Sequence, residues 1–183
     1  MALLWERRCR YGTGLAFTQP PWHRLIACAI AFHDAVLDTR RRDNEDKSAA
    51  LWRASGADLD EACLAWVEGT ILATSDHLGV VAESGMTPAA WAARLWVLDL
   101  DLTPIGEVAD EFAENTARLR RENSHLTDAE WESFRLSFLR RLAQAPAVYR
   151  SPALADVYAT HARANLSREI ADADLRPKKL SSR

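Results

Sequence analysis

Apolar positions along the chain recur at helical spacing, and runs of alternating β-branched residues are absent. Pro20-Pro21 is a stop signal, and Pro21 suits the first turn of a helix predicted to run to about Asp38. A polar loop, Thr39 to Asn44, separates it from a helix over about Glu45 to Ala54. Beyond Gly56, Asp58 is placed to cap a helix reaching about Ala73. Ser75 to Met86, with Gly79 and Gly85, reads as a loop. Thr87 then caps a helix with Pro88 at its first position, ending near Asp99. The next predicted helix, about Pro104 to Asn123, has Glu107, Asp110, Glu111 and Glu114 first and Arg118, Arg120 and Arg121 last. That order complements the helix dipole. Thr127 and Glu130 have capping-box spacing and open a helix through about Gln144. Pro146 and Pro152 bracket a turn. A last helix runs from about Pro152 to Ala173, with Leu154, Val157, Tyr158, His161 and Leu166 at helical spacing. The short run "VLDLDL" is the one strand candidate. Residues 1–20 read as irregular or truncated, and 174–183 as a frayed tail. No repeat or linker interrupts the pattern, so the expectation is a single all-α domain over 1–183.

Composition narrows the function classes. The chain has 183 residues, 48% of them hydrophobic and 27% charged, which is enough for one domain with a real core. Net charge is −3, from 23 basic and 26 acidic side chains, so nucleic acid is not an expected partner. Arg40-Arg41-Arg42 runs straight into Asp43, Glu45 and Asp46, a mixed-charge loop. The seven tryptophans are expected in the core. Cys9, Cys28 and Cys63 are odd in number and widely spaced, which argues against a disulfide framework or a zinc knuckle. Cys28 and Cys63 fall in apolar helical stretches and read as inert, buried residues. "MALLWERRCRYG" lacks the apolar core of a signal peptide, and no run approaches the roughly 20 apolar residues of a membrane span. The expected setting is a reducing cytoplasm, with no membrane partner. Homo-oligomerisation is left open.

One stretch asks for chemistry. In "IACAIAFHDAVLD", an apolar helix places His33 beside Asp34, with Asp38 one turn on. Buried ionisable groups are costly unless paired, hydrogen-bonded or bound to a metal. A histidine with neighbouring carboxylates is a ligand set for Mn, Fe, Zn, Co or Mg, and it needs a donor from elsewhere to close the sphere. "LDLDL" offers Asp99 and Asp101, and "ATSDHL" offers Asp76 and His77. Asp99 is expected as an exposed or capping residue. His23, His125 and His161 are expected to be structural or surface residues, with His161 on the core face of the last helix.

The His-Asp pair with a distant Asp resembles the HD superfamily of metal-dependent phosphohydrolases. "AIAFHDAVLDTRRRDNEDKSAAL" is similar to the "FHDAVYD…DNEERSA" block of a bacterial group of predicted HD phosphohydrolases. "ILATSDH" is similar to its T-x-x-H block, and "VLDLDLTPIG" to its "LDADLAILG" block. "LRRENSHLTDAEW", "YRSPAL" and "ARANLSREI" follow its C-terminal blocks in order, so the resemblance covers about Ala27 to Ile170. It implies an all-α HD-domain helical bundle acting on a small phosphorylated substrate or nucleotide, with a divalent metal ion as cofactor. His33, Asp34 and Asp101 would bind the metal. Asp38 or Glu45 would orient a water as general base. His77 would be a further ligand or a phosphate contact, and Arg120, with Glu122, would form an ion pair or help close the pocket. The step from Asp34 to Asp38 also resembles the HD-x-x-E-D pattern of hydrolases of guanosine polyphosphates, with Leu37 in place of the Glu.

The group's N-terminal "YHNxxH" block has no counterpart here; "YGTGLAFTQPPWHR" stands in its place. His23 does not substitute. On one continuous helix it would lie roughly 15 Å along the axis from His33, too far to share one metal. The expectation is that the first ligand helix is deleted or that the chain begins differently. The alternative function is therefore a catalytically degenerate HD domain that binds nucleotides or proteins.

Overall fold

Residues 22–56 and 58–176 are described by a computed structural model. Seven α-helices account for its regular structure, and no strand occurs among the described residues. They are α1 (Trp22–Phe32), α2 (Asn44–Ser55), α3 (Glu61–Ala73), α4 (Pro88–Asp101), α5 (Ala109–Glu122), α6 (Asp128–Gln144) and α7 (Pro152–Leu175). Short 3₁₀ turns follow α3 (Thr74–Asp76) and α4 (Thr103–Gly106). The expected irregular start and the last part of the expected tail, 177–183, lie outside the described residues. Residues 174 and 175 are still helical.

The centre is α4. Thr87 caps it by accepting the Ala90 N–H, and Pro88 occupies its first turn. Trp96 to Leu100 are all buried, the mark of a helix surrounded on every side. "VLDLDL" is therefore helix, not strand: it is apolar all round because it is enclosed, and Asp99 is buried with it. α1, α3 and α4 pack together, and α2 lies against α3. Trp66 joins α3 to α4 through an indole N–H to Ala90 O (3.1 Å), and Trp52 joins α2 to α3 through Leu64 O (3.0 Å). Of the six tryptophans among the described residues, Trp52, Trp66 and Trp96 are core residues as expected, while Trp22, Trp91 and Trp131 are only half-buried.

Several boundaries differ from the sequence reading, each for a local reason. α1 ends at Phe32, not near Asp38. The Ala35 N–H bonds back to Phe32 O in a tight turn, and the Val36 N–H is taken by the Ser48 hydroxyl of α2. α3 is capped by Asp60, which accepts the Cys63 N–H at 2.9 Å, rather than by Asp58. The helix expected from Pro104 breaks after the 3₁₀ turn. Asn165 of α7 donates to Ile105 O and Glu107 O, taking carbonyls that a continuing helix would use. Gly106 sits against α7 so closely that a Cβ would lie 2.6 Å from both Tyr149 Oη and Tyr158 Cβ. The buried face of α7 is Leu154, Tyr158, Ala162, Asn165 and Leu166; Val157 and His161 are exposed, so His161 is not a core residue. The Thr127–Glu130 capping box forms as expected.

Candidate functional site

Three helix C-termini meet at one point. α1 ends just before His33 and Asp34, α4 ends with Asp101, and the 3₁₀ extension of α3 ends at His77. His33 is buried, with 4% of its side chain exposed; Asp34 and Asp101 are more open, at 51% and 28%. His33 Nδ1 lies 3.0 Å from Ile30 O, an atom that only accepts, so Nδ1 carries the proton. Nε2 is buried without a hydrogen-bond partner and faces Asp34 Oδ2 at 3.2 Å and Asp101 Oδ1 at 3.5 Å. The other oxygen of Asp101, Oδ2, accepts from His77 Nε2 at 2.7 Å.

Charge is tightly balanced here. Burial works against a protonated His33, but the carboxylates of Asp101 and Asp34 outweigh it and push its pKa up to about 10. Burial likewise works against an ionised Asp101, and the two histidines outweigh it, holding its carboxyl far below the usual range. The donor set suits a divalent cation in kind. Two donor atoms on one cation at ~2.1 Å stand roughly 3 Å apart, comparable to the pairwise separations around His33. As arranged, no group of three or more His, Cys, Asp or Glu side chains among the described residues encloses a metal position. The His77–Asp101 hydrogen bond occupies one atom of each.

The structure brings four of the seven predicted residues together: His33, Asp34, Asp101 and His77. Asp38 does not share a helical face with Asp34, because α1 has already ended. It closes the 38–44 loop instead: its carboxylate accepts the Arg40 N–H, and its backbone exchanges two hydrogen bonds with the Asn44 side chain. Glu45, in the first turn of α2, makes no hydrogen bond or ion pair among the described residues. Arg120 holds the α5–α6 connection. Its guanidinium donates to Asn123 O (2.9 Å), Leu126 O (3.1 Å) and Asp128 Oδ1 (2.8 Å) and lies over the Trp131 ring. Its acidic partner is thus Asp128 rather than Glu122.

Asp99 is a correction. It is wholly buried, not exposed, and its Oδ2 accepts the backbone N–H groups of Arg150 (2.7 Å) and Ser151 (2.5 Å) at the start of α7. Burial pushes its carboxyl up against those bonds. Its two-residue offset from Asp101 was the available signal, since such a step turns a helix by about 200° and sends the two carboxylates to different places. Cys28 and Cys63 are free and half-buried rather than buried, and burial raises both thiols, which disfavours the thiolate. A cavity of about 230 Å³ between α6 and α7, lined by Leu142, Val148, Ala155, Ala159, Arg163 and Leu166 among others, contains none of the predicted site residues. Among the described residues no helix is long and apolar enough to cross a membrane. No protein-family model, curated protein or solved structure matches this chain.

Proposed function

We propose that the chain is an HD-type metal-dependent phosphohydrolase acting on a small phosphate ester or nucleotide. The observation that carries this reading is His33: a buried imidazole whose Nδ1–H is fixed on Ile30 O and whose Nε2 is aimed at two carboxylates. A metal-binding histidine almost always donates its other ring N–H to a backbone carbonyl or carboxylate in this way. The three converging helix C-termini add partial negative charge, which favours a cation. His33, Asp34 and Asp101 would hold the metal, with His77 beside them. A divalent cation supplies Lewis acidity, lowering the pKa of a water and neutralising phosphate oxygens. Of the two proposed general bases, Glu45 is the freer, because the Asp38 carboxylate already serves its loop. The free thiols fit a cytoplasmic setting.

The test is elemental analysis of protein purified without chelator, beside His33→Ala and Asp101→Ala. Roughly one Mn, Fe, Co or Zn per chain, lost in both variants, is the expected result. It would be followed by turnover on a panel of phosphate esters. A chain that stays metal-free after soaking in Mn or Fe overturns the proposal. The degenerate-domain reading is favoured by one observation: the His77–Asp101 hydrogen bond closes the donor set on itself. Metal-free protein that still binds nucleotides is the outcome it expects.

A further inference from the structure

The block "YRSPAL" and the buried carboxylate of Asp99 have no part in that chemistry, yet both lead back to His77. Arg150 reaches across from the turn before α7 and donates to His77 O (2.5 Å) and Val80 O (3.1 Å), clamping both ends of the turn that carries the histidine. Its guanidinium lies 5.9 Å from the centre of the Trp91 ring on α4. Its own backbone is held by Asp99, two residues before Asp101 on the same helix. α4 therefore grips His77 twice. Asp101 takes the ring directly, and Asp99 holds the segment whose arginine holds the backbone.

We propose that Arg150 is the positioning residue for His77, and that through it Asp99 sets how Asp101 divides its two oxygens, Oδ2 to His77 and Oδ1 to the His33 side. Other contacts on the same loop do not substitute for it. Arg94 pairs with Glu83 further along, and Arg141 pairs with the Asp76 side chain; neither touches His77. Without Arg150 the His77 carbonyl loses its charged donor, the ring loses its register against Asp101, and Asp101 is free to rotate. The consequence for metal affinity rests on the proposed function above. The positioning itself does not, and it can be read in metal-free protein.

The experiment uses the full chain labelled with [15N]histidine and treated with chelator. The His77 ring is assigned by its loss in His77→Gln. The expected spectrum shows a hydrogen-bonded, slowly exchanging Nε2 proton on His77. Arg150→Gln should abolish that protection while leaving the far-UV circular dichroism unchanged, and Arg150→Lys should restore part of it, since an ammonium can still reach one carbonyl. Glu83→Gln, which loosens the same loop elsewhere, should leave the His77 signal as in the parent. Where Asp101 binds the proposed metal through Oδ1 and His77 holds Oδ2 as its outer partner, a parallel Mn titration should show affinity lowered about tenfold or more in Arg150→Gln, the usual range for losing such a partner. Parent protein that binds no Mn but loses the His77 proton in Arg150→Gln upholds the positioning and sinks the metal reading. An unchanged His77 proton in both Arg150 variants overturns the positioning, whatever the metal does.

Discussion

Ser48→Ala is the most direct probe of how the His33–Asp34 segment is held. Ser48 is wholly buried on α2, and its hydroxyl accepts the Val36 N–H at 3.0 Å and sits 3.4 Å from Val36 O. It ties the chain after α1 to α2 two residues beyond Asp34, the nearest such hydrogen bond to the cluster. Alanine keeps the Cβ and removes no packing, so the loss is polar. A stranded buried donor or acceptor costs about 1–3 kcal/mol. Val36 is only half-buried, so water can reach part of it, and the pair together should cost roughly 2 kcal/mol. Alanine is the better helix former by about 0.5 kcal/mol, which offsets some of this. The net expectation is a loss of roughly 1.5 kcal/mol in urea unfolding, or a Tm lower by about 3–6 °C. Ser55→Ala is the control. Its hydroxyl donates to Leu51 O within its own helix, at an exposed position, and its loss should fall within about 0.5 kcal/mol. Under the proposed function, Mn affinity should also drop in Ser48→Ala and not in Ser55→Ala. If the two variants unfold alike, or if a Mn-binding parent loses only stability and no Mn affinity in Ser48→Ala, the contact does not hold the site and the reasoning fails.

Two further variants separate scaffold from site. Arg120→Gln should lower stability by about 1–2 kcal/mol, from three hydrogen bonds lost at the α5–α6 connection, and leave metal content unchanged; a metal-free but fully stable variant would return Arg120 to the pocket. Asp60→Ala should destabilise α3 in a pH-dependent way. Hydrogen bonds from Cys63 hold the Asp60 carboxyl below its usual range, so its contribution is present above the unfolded-state pKa and vanishes as pH falls through the folded one. The stability gap between parent and variant, followed by urea melts, should therefore close on acidification, and a constant gap would mean the cap is not ionic.

Helix existence was legible where local chemistry decides it. Thr87-Pro88 and Thr127–Glu130 specify their helices by capping groups a few residues apart, and both form as read. The boundaries that moved were set by distant partners. α1 stops where Ser48 and Phe32 O take the next N–H groups, and the Pro104 stretch breaks where Asn165 takes its carbonyls. The same division runs through the site. His33, Asp34, Asp101 and His77 stood out as ionisable residues in apolar or motif-like surroundings, and they lie together. Asp38 was placed by assuming a helix that tertiary contacts end early. Arg150 was legible only as part of the "YRSPAL" block; its hold on the His77 turn was not, because an arginine that donates to main-chain carbonyls needs no partner side chain and leaves no charge pattern to read.

The electrostatics of the cluster run against what helices usually select. Helix C-termini favour cations, and α5 obeys this with Asp110 and Glu111 in its first turn and Arg120 and Arg121 in its last. At the His33 cluster the fold does the opposite, setting Asp34 and Asp101 where α1 and α4 end and adding the end of the α3 extension beside them. A structural helix end would gain nothing from two carboxylates there, and the two, facing one Nε2, repel each other. Positive charge resolves both conflicts at once. A proton on His33 supplies part of it, which is why the carboxylates raise its pKa so far. The divalent cation of the proposed function would supply more. Under the proposed function, two carboxylates set at helix C-termini around one imidazole fit a cation better than they fit a packing role.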